Sequence, residues 1–505
     1  MRQISRRDMI AASSGLAGLI ILPSHVLGRG SGLPPSEKLN LAFVGIGTRG
    51  SFNLRELENL GHNIVAICDV DWRKLEKREN RPRAWEMAEK YSRAKKYDDW
   101  RVMLEKEDKT IDGVVVSTPD HDHAVVSLTA MKMGKHVYCE KPMAHSVEEV
   151  RAMMASEKKH KVSTQTGCQG HSSEDCRNVV EWIRDGAIGD VRDVHIFANN
   201  SAGTPYARLG KSGSAGGRLA YDDIPKRLAE EHPVPNGLLW DLWLGPAASR
   251  SYNPLYSGWR SWVDFGDGAI GNWCCHYFDP VVWALDLGLP EKIEANPDAG
   301  YEWATNKWLY PNSAEVRWEF PARGKLPPVA VTWHYGPDGG TIPLPKYWKE
   351  DYWPRFVATG ELANNGGVIM VGSNGAIVFG AISVSQPLSA STGLYRPVIW
   401  TPEETTRLVP DELNRDYKRP ARTLPRPFSH WADWVEAAKT NKPAGAPFAY
   451  GGLMTELGLL GNIACTQRGK ILYYDGKAGR FKNSEEANTL FRRSYRDGFA
   501  LGDHR

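Results

Sequence analysis

Between residues 39 and 165, short apolar runs alternate with stretches in which apolar residues recur at helical spacing. The apolar runs predict strands, and the helically spaced stretches predict helices that cover a sheet. We place strands at residues 39–44, 63–68, 111–116, 136–139 and 162–166. Helices are predicted where Leu54, Leu57 and Leu60 recur, and at residues 85–91, 98–104, 124–133 and from 147 onwards. This alternation is typical of an α/β fold with a doubly wound parallel sheet.

A glycine-rich loop lies directly between the first predicted strand and the first predicted helix. It reads Gly45-Ile46-Gly47-Thr48-Arg49-Gly50, and Asp69 ends the second strand 24 positions after Gly45. Gly45 permits a tight turn, Gly47 lets backbone N–H groups approach a pyrophosphate, and Gly50 lets helix and strand pack closely. The strand–loop–helix context and the acid that follows it predict a dinucleotide-binding Rossmann domain.

Asp69 decides which dinucleotide fits this loop. A carboxylate at the end of the second strand accepts hydrogen bonds from the ribose hydroxyls of NAD and repels the 2′-phosphate of NADP. Arg73 and Lys74 lie close by in the sequence and could partly offset that repulsion. We therefore predict NAD as the cofactor, with NADP as the less favoured alternative.

Two further polar segments follow strands of the same sheet. Ser117-Thr118-Pro119 follows the strand at 111–116, and Glu140-Lys141-Pro142 follows the strand at 136–139. Ligands of such sheets bind at the carboxyl ends of the strands, so we expect both segments to lie near the glycine loop. His121 and His123 have a spacing that is found in metal sites, but no third ligand is nearby, and we predict no metal.

The N-terminal residues have the pattern of an export signal. Arg6 and Arg7 precede a run of about a dozen apolar residues that ends at Pro23, which is typical of the twin-arginine route. No Ala-x-Ala site follows, and Gly28 is the best candidate for the last residue before cleavage. We predict a signal peptide over residues 1–28, a linker over 29–38 and a periplasmic mature protein.

Composition narrows the class of protein. The 505-residue chain is 41% apolar and 24% charged with a net charge of +3, which is ordinary for a globular protein and disfavours nucleic-acid binding. No apolar run reaches the ~18 residues that span a bilayer. The 7 cysteines include no Cys-x-x-Cys pair, which argues against a disulfide scaffold or a zinc ribbon. The 19 tryptophans are unusually many, and indole faces suit sugar rings.

Several motifs resemble those of the Gfo/Idh/MocA oxidoreductases, a family named for glucose-fructose oxidoreductase and inositol dehydrogenase. The most specific of them is Gly134-Lys135-His136-Val137-Tyr138-Cys139-Glu140-Lys141-Pro142. The others are the segments at 117–123, 165–172 and 240–246, and the tail at 491–496, which resembles an exported branch of the family. The resemblance therefore extends over nearly the whole chain.

The resemblance implies the domain organisation. A Rossmann domain is expected at residues 39–165. A substrate-binding and oligomerisation domain is expected at 166–505, with a large open, mostly antiparallel sheet and C-terminal helices that pack back. We expect a homo-oligomer, either a dimer or a tetramer.

The resemblance also implies the chemistry, which is oxidation of a hydroxyl group of a sugar, glycoside or polyol. Removing a hydride from a carbinol requires a base for the hydroxyl proton and support for the developing alkoxide. We assign the support to Lys141 and the base to His276. Asn272 stands where many relatives have Asp, on the same helix face as His276, so the usual charge partner of the base is missing. The sequence leaves Asp264, Asp267 and Asp279 open as replacements.

The remaining site residues are predicted in two groups. The cofactor-binding group comprises the glycine loop, Asp69, Ser117, Thr118, Pro119, His123, Glu140 and Lys141. The substrate-binding group comprises Gln169, His171, Trp259, Arg260, Asn272 and His276. Arg260 suits a carboxylate or a pair of hydroxyls. A Gly/Ser-rich loop at 201–220 is predicted as a mobile lid, and an aromatic segment at 338–355 as a wall of the sugar site or an oligomer contact.

Three functions remain open from the sequence. The first is an NAD-dependent oxidoreductase acting on a sugar, glycoside or polyol. The second is a glycosidase or lyase that uses bound NAD in a cycle of oxidation, elimination and reduction. The third is a sugar-binding protein without activity, which Asn272 would favour if the missing charge prevented proton transfer.

Overall fold

The computed structural model describes residues 33–76, 81–198, 221–336, 367–379, 406–409 and 417–501. The predicted signal peptide, the loop at 201–220 and the aromatic segment at 338–355 lie outside these ranges, so the predictions made for them are not addressed below. Within the described ranges, no helix combines the length and the apolar character that crossing a membrane requires.

A six-stranded parallel sheet forms the N-terminal half of the chain. Its strands are β1 (Asn40–Val44), β2 (Asn63–Cys68), β3 (Lys95–Tyr97), β4 (Gly113–Val116), β5 (His136–Glu140) and β6 (Thr164–Gly167). They lie in the order β3-β2-β1-β4-β5-β6, and every neighbouring pair is parallel. The order reverses between β1 and β4, which opens a crevice at their carboxyl ends.

Five helices connect these strands. They are α1 (Arg49–Asn59), α2 (Ala84–Lys90), α3 (Trp100–Glu107), α4 (His123–Lys132) and α5 (Val147–His160). Asp99 caps α3 and Ser146 caps α5, because each side chain accepts a backbone N–H of the first turn. The alternating α/β architecture is confirmed. Strand β3 was not predicted, since it reads Lys95-Lys96-Tyr97 at the edge of the sheet and has no apolar run.

A second sheet, with nine strands in the described ranges, forms the C-terminal domain. Its strands are β7 (Val191–Ala198), β8 (Lys292–Pro297), β9 (Ala314–Phe320), β10 (Val329–Tyr335), β11 (Gly367–Gly372), β12 (Ala376–Phe379), β13 (Thr406–Val409), β14 (Leu472–Asp475) and β15 (Arg480–Phe481). Their order is β13-β12-β11-β7-β10-β9-β8-β14-β15. Only β7 and β10 pair in parallel, so the predicted mostly antiparallel sheet is confirmed.

The helices of the second half pack between and around the two sheets. They are α6 (Glu174–Arg184), α7 (Ile224–Leu228), α8 (Trp240–Leu244), α9 (Gly268–Leu285), α10 (His430–Thr440), α11 (Phe448–Cys465) and α12 (Glu485–Thr489). Gly458 lets α11 approach α9 closely, because a Cβ there would lie 2.6 Å from Cys274 Sγ. All seven cysteines are buried and free. The paired Cys274 and Cys275 are therefore core residues of α9.

Helix α10 packs against the first sheet although it belongs to the C-terminal part of the chain. Trp431 and Trp434 are 2% and 0% exposed. The Trp434 ring lies beside Gly113, where an added Cβ would approach it to 3.1 Å. Trp431 Nε1 donates to Asn53 Oδ1 of α1 at 2.9 Å. The indoles of α10 thus pack against β4 and against α1, the helix that follows the glycine loop.

Candidate active site

The glycine loop turns sharply between β1 and α1, against the end of β4. Gly45 has φ +78°, and a Cβ there would lie 2.7 Å from Ser117 O. A Cβ at Gly50 would lie 2.0 Å from Gly45 O, so α1 can approach the loop only because this residue is glycine. These two positions provide the turn and the close packing that a dinucleotide-binding loop requires.

The loop presents backbone N–H groups at the N-terminus of α1. The N–H of Ile46 donates to Asp69 Oδ2 at 2.8 Å, and the N–H of Thr48 donates to Pro82 O at 2.7 Å. The N–H groups of Gly47 and Arg49 have no acceptor within the described part of the chain. Free donors at the start of a helix fit the pyrophosphate of a dinucleotide.

Asp69 lies at the end of β2 in a fixed orientation. Its Oδ1 accepts the N–H groups of Val70 and Asp71 at 2.8 and 3.0 Å. Burial raises the pKa of this carboxyl, although the backbone donors around it oppose the rise. Arg73 donates to both oxygens of Asp71 at 2.7 Å and is therefore already paired. At this end of β2, the carboxylate of Asp69 suits a ribose with free hydroxyls better than a ribose with a 2′-phosphate.

Asn53 joins α1 to two strand ends. It is fully buried, and its Nδ2 lies 2.9 Å from Ser117 Oγ and 3.0 Å from Glu140 Oε1. Its Oδ1 accepts the indole N–H of Trp431. The ends of β4 and β5 are thereby fixed relative to the helix that carries the glycine loop.

Gln169 also orients Glu140. Its Nε2 donates to Glu140 Oε1 at 2.9 Å and to Tyr138 Oη at 2.8 Å, and the residue is 2% exposed. Arg49 Nε lies 3.8 Å from Glu140 Oε2. Gln169 is also predicted to contact substrate; its amide nitrogen is engaged within the protein, whereas its Oε1 has no partner among the described residues. It positions the segment that leads to Lys141.

His123 links the loops that follow β4 and β5. Its Nδ1 lies 2.7 Å from Pro142 O and its Nε2 lies 3.0 Å from Thr118 O, and the residue is 1% exposed. Both partners are carbonyl acceptors, so the ring bonds to both only as an imidazolium. Burial opposes this charge, but Cys139, Asp120 and the Pro142 carbonyl outweigh burial and raise the pKa of His123 to about 10. His123 was predicted to contact the cofactor, whereas both ring nitrogens are engaged by the protein.

The spacing of His121 and His123 does not produce a shared ligand site. The ring nitrogens of His121 lie 3.2 Å from Phe265 O and 3.1 Å from Trp243 O. Within the described ranges, no group of three or more His, Cys, Asp or Glu side chains is arranged to hold a metal ion. Both histidines instead connect strand-end loops to neighbouring backbone.

Asn272 accepts hydrogen bonds from two cations at the centre of the site. Lys141 Nζ donates to Asn272 O at 2.7 Å and to its Oδ1 at 3.0 Å. Arg260 Nε donates to the same Oδ1, also at 3.0 Å. Burial lowers the pKa of Lys141, and the charge of Arg260 lowers it further. The structure thus brings together one residue of the first domain and two of the second.

The guanidinium of Arg260 is held by its surroundings. Arg260 lies in the 3-10 helix Pro254–Ser261, and its Cζ stacks over the Trp259 ring at 4.1 Å. A Cβ at Gly266 would lie 2.6 Å from Arg260 Cα, so the backbone behind it also packs closely. Burial lowers the pKa of Arg260. Trp259, predicted as a substrate residue, here supports the arginine.

His276 follows Asn272 by one helical turn on α9. It is 4% exposed, and its Nδ1 is buried without a hydrogen-bond partner. Burial lowers the pKa of His276 well below its usual value, and the charges of Lys141 and Arg49 add to this, so the ring is neutral near pH 7. Among the described residues, none of the ion pairs joins a carboxylate to this ring.

The three aspartates that the sequence left open do not replace the missing carboxylate. Asp264 pairs with Arg250 at 2.6 Å. Asp279 Oδ1 accepts the hydroxyl of Tyr450 at 2.6 Å. Asp267 is fully buried at the start of α9, and neither of its carboxylate oxygens has a hydrogen-bond partner in the described structure. The base predicted at His276 therefore has no carboxylate partner among the described residues.

The structure does not bring His171 to this group of residues. His171 is 3% exposed, its Nδ1 lies 2.7 Å from Asp279 Oδ1, and its ring stacks on Trp283 at 4.2 Å. These contacts make it a core residue between α6, α9 and α11. His171 was predicted to bind substrate because it follows a strand end. In the folded loop its side chain is buried against Asp279 and Trp283 instead.

Sequence reasoning missed Asn53 and Asp120. The signal for Asn53 was its position on the predicted apolar face of α1, four residues before Leu57. Asp120 is 2% exposed, and its Oδ2 accepts the N–H of Asp267 at 3.2 Å. Burial raises the pKa of Asp120, while His123, Arg260 and Lys141 act to lower it. No local pattern could place this aspartate among three cations.

Two family models match consecutive parts of the chain. One, described as "Oxidoreductase family, NAD-binding Rossmann fold", matches residues 39–168. The other, described as "Oxidoreductase family, C-terminal alpha/beta domain", matches residues 208–312. The first range contains the glycine loop, Asp69 and Lys141, and the second contains Arg260, Asn272 and His276.

Curated relatives match a part of the chain. Inositol 2-dehydrogenase of Salmonella typhimurium is 30% identical over 171 residues, which are 33% of this chain and 48% of that protein. A glycosyl hydrolase family 109 protein of Stenotrophomonas maltophilia is 34% identical over 150 residues, 28% of this chain and 30% of that protein. The chain thus spans about half the length of the inositol dehydrogenases it matches.

A solved structure shows the same fold over most of the chain. It is an inositol dehydrogenase homologue of Azotobacter vinelandii complexed with NADH and myo-inositol, 14% identical, with a TM-score of 0.51. The match covers 86% of this chain and 98% of that one. Residues 39–168 and 208–312 therefore match the NAD-binding and C-terminal domains of the Gfo/Idh/MocA oxidoreductase family.

Proposed function

We propose that this chain is an NAD-dependent oxidoreductase that removes a hydride from a carbon carrying a hydroxyl group in a sugar, glycoside or polyol. The observation that carries the proposal is the contact between Lys141, which directly follows β5, and Asn272 of α9, the helix that also carries His276 one turn further on. The inositol dehydrogenase relative is named for a polyol, which supports this class of substrate.

Bound NAD supplies the hydride acceptor. The chain must then take the hydroxyl proton and stabilise the oxygen left behind. His276 is suited to take the proton, because its lowered pKa keeps the imidazole neutral and its Nδ1 has no partner in the described structure. The Lys141 ammonium lies near enough to lower the pKa of His276, so a hydroxyl between the two side chains would interact with both groups.

Lys141 and Arg260 provide positive charge for the developing alkoxide. Both bond to Asn272 Oδ1, which fixes their positions before substrate arrives. Preorganised charge in a buried site lowers the barrier because little reorganisation is needed during the reaction. Because Asn272 is neutral, it orients the two cations without cancelling their charge.

The test is reduction of enzyme-bound NAD by a panel of hexoses, methyl hexosides, inositols and sugar acids, followed at the nicotinamide absorbance. The expected result is rapid reduction of bound cofactor by at least one member. Binding of NAD with no reduction by any member, at concentrations that saturate the protein, would contradict the proposal and favour a sugar-binding protein without activity.

A second candidate is cleavage of a glycoside without net redox change. The relative in glycosyl hydrolase family 109 supports it, although that match covers 30% of the relative. In this reaction, oxidation of the C3 hydroxyl to a ketone would acidify the C2 proton, and loss of that proton would expel the aglycone from C1. Water would then add to the double bond, and return of the hydride from the reduced cofactor to C3 would restore the hydroxyl. Release of the aglycone from a nitrophenyl glycoside without accumulation of NADH would identify this candidate.

We also propose that the protein is exported by the twin-arginine route with its NAD already bound. Arg6 and Arg7 support the route, and the cofactor loop requires a dinucleotide that is scarce outside the cytoplasm. The double change Arg6→Lys and Arg7→Lys should retain the protein in the cytoplasm, while Arg2→Lys serves as the matched control. Near-stoichiometric nucleotide in protein purified from the periplasm is expected, and an empty site that needs millimolar NAD would contradict retention.

The family resemblance further supports assembly as a dimer or tetramer, which we propose for the mature protein. Light scattering during gel filtration measures the mass directly. A single species at the monomer mass across micromolar concentrations would contradict this part of the proposal.

A further inference from the structure

Two largely buried cations share one neutral acceptor at the centre of the candidate site. Lys141 Nζ and Arg260 Nε both lie 3.0 Å from Asn272 Oδ1. Across the described ranges, neither cation forms an ion pair with a carboxylate, for which the limiting distance is 4.0 Å. Asp120 and Glu140 act on both cations from a greater distance and raise the pKa of each. Partly buried cations without a direct ion pair are costly and are rarely retained without a function.

The neighbouring carboxyl groups are committed to other partners. Glu140 Oε1 accepts from Asn53 and Gln169, and its Oε2 faces Arg49 at 3.8 Å. Asp120 Oδ2 accepts the backbone N–H of Asp267 at 3.2 Å, and this carboxyl also faces His123. The protein therefore leaves the pair formed by Lys141 and Arg260 short of negative charge.

The free edge of Arg260 is suited to an anion. Its Nε is the atom bound to Asn272, and its Nη1 and Nη2 groups donate to no acceptor among the described residues. The stack on Trp259 at 4.1 Å holds the plane of the guanidinium. Two parallel N–H donors in a fixed plane match the two oxygens of a carboxylate.

We propose that the substrate supplies the missing charge, and that the site takes a sugar, glycoside or polyol carrying a carboxylate, such as a uronic or aldonic acid. The carboxylate binds at the Nη edge of Arg260, and the hydroxyl that is oxidised faces Lys141 and His276. This rests on the proposed function, since it names the substrate class of the same site. The positive nicotinamide ring of NAD adds to the attraction for an anion when it is bound.

The test compares three ligands that differ in one group, for both the gluco and galacto series: the methyl uronoside, its uronamide and the methyl hexoside. Binding to the NAD-loaded protein is measured by calorimetry, and reduction of bound NAD is measured in the same samples. The acid should bind about tenfold or more tightly than the amide, because a charge-assisted contact is lost in the amide.

Two variants link this preference to the residues. Arg260→Gln should bind acid and amide equally. Asn272→Asp should weaken binding of the acid by about tenfold and leave binding of the amide unchanged, because the new carboxylate neutralises the cations in place of the substrate. Arg192→Gln changes an exposed arginine of β7 that is not part of the candidate site. It is the matched control for loss of an arginine and should leave the preference unchanged.

The outcomes separate this inference from the proposed function. Neutral sugars that reduce bound NAD as well as the acids do would overturn the inference and leave the oxidoreductase in place. Acids that bind selectively without reducing NAD would support the anion site and overturn the oxidoreductase. Stronger binding of a hexose 6-phosphate than of every acid would overturn the assignment of a carboxylate. No binding and no reduction with any ligand would overturn both.

Discussion

Lys141 donates two hydrogen bonds to a single residue, Asn272, through the backbone oxygen at 2.7 Å and the side-chain oxygen at 3.0 Å. Both acceptors are neutral, so nothing in this contact offsets the burial that lowers the pKa of the lysine. The contact fixes the amine in place. Burial, which the contact does not offset, makes Lys141 a weaker base than an exposed lysine.

Asn272→Asp should raise the pKa of Lys141, because a carboxylate beside the amine favours the ammonium form. The measurement is the pH dependence of reductive methylation at Lys141, quantified by mass spectrometry, with exposed Lys106 in the same digest as reference. The labelling midpoint should move to higher pH in the variant. An unchanged midpoint would show that the asparagine does not control the charge of the lysine.

Asp69→Ala should reduce the preference for NAD over NADP, which we expect to be about tenfold or more in the wild type. The carboxylate lies at the ribose end of the loop, and Arg73 is paired with Asp71 and cannot compensate. Dissociation constants of both dinucleotides, measured by fluorescence titration, provide the check. Asp190→Asn, at an exposed position before β7, controls for loss of a carboxylate. Equal affinities in the wild type would refute the role of Asp69.

Lys141→Ala and His276→Ala should each abolish turnover while changing NAD affinity only a few-fold. Each removes an interaction that is made mainly in the transition state, so kcat falls far more than cofactor binding. Steady-state rates and NAD titrations are compared with those of Lys325→Ala, an exposed site. Retained turnover in either variant would remove that side chain from the proposed mechanism.

His123 should remain protonated well above neutral pH. Its pKa is raised to about 10 in the folded protein, against about 6.5 in the unfolded chain, so its charge contributes stability that is complete below pH ~6.5 and is lost as pH rises toward 10. Urea unfolding at several pH values should show a declining free energy of unfolding over this window. The decline should be smaller in His123→Phe, which cannot bond to either carbonyl.

An independent measurement covers the case in which His123→Phe does not fold. The ring-carbon resonance of His123 in the wild-type protein should not titrate between pH 5 and 8. A midpoint near pH 6.5 would show that one of its two carbonyl contacts is not a hydrogen bond. Such a result would also remove the fixed link between the loops after β4 and β5.

Much of the first domain was determined by the sequence alone, because its signals are local. Alternating apolar runs placed strand β2 at Asn63–Cys68 without error, and the loop from Gly45 to Gly50 was recognised from its strand and helix neighbours. In the second domain, the resemblance to the family implied that Asn272 and His276 share a helix face, and α9 contains both residues. Short-range periodicity and turn chemistry suffice for such features.

Tertiary structure alone decided which distant side chains meet. Lys141 and Asn272 are 131 residues apart, and Trp431 and Asn53 are 378 apart, so no spacing rule relates them. Their contacts depend on where α9 and α10 lie relative to the first domain. The same packing placed His171, predicted as a substrate contact from its position after a strand end, against Asp279, which had been left open as a charge partner of the base. Burial and charge depend on every neighbouring element at once, and for that reason only the folded chain decides that the two cations at Asn272 form no direct ion pair among the described residues.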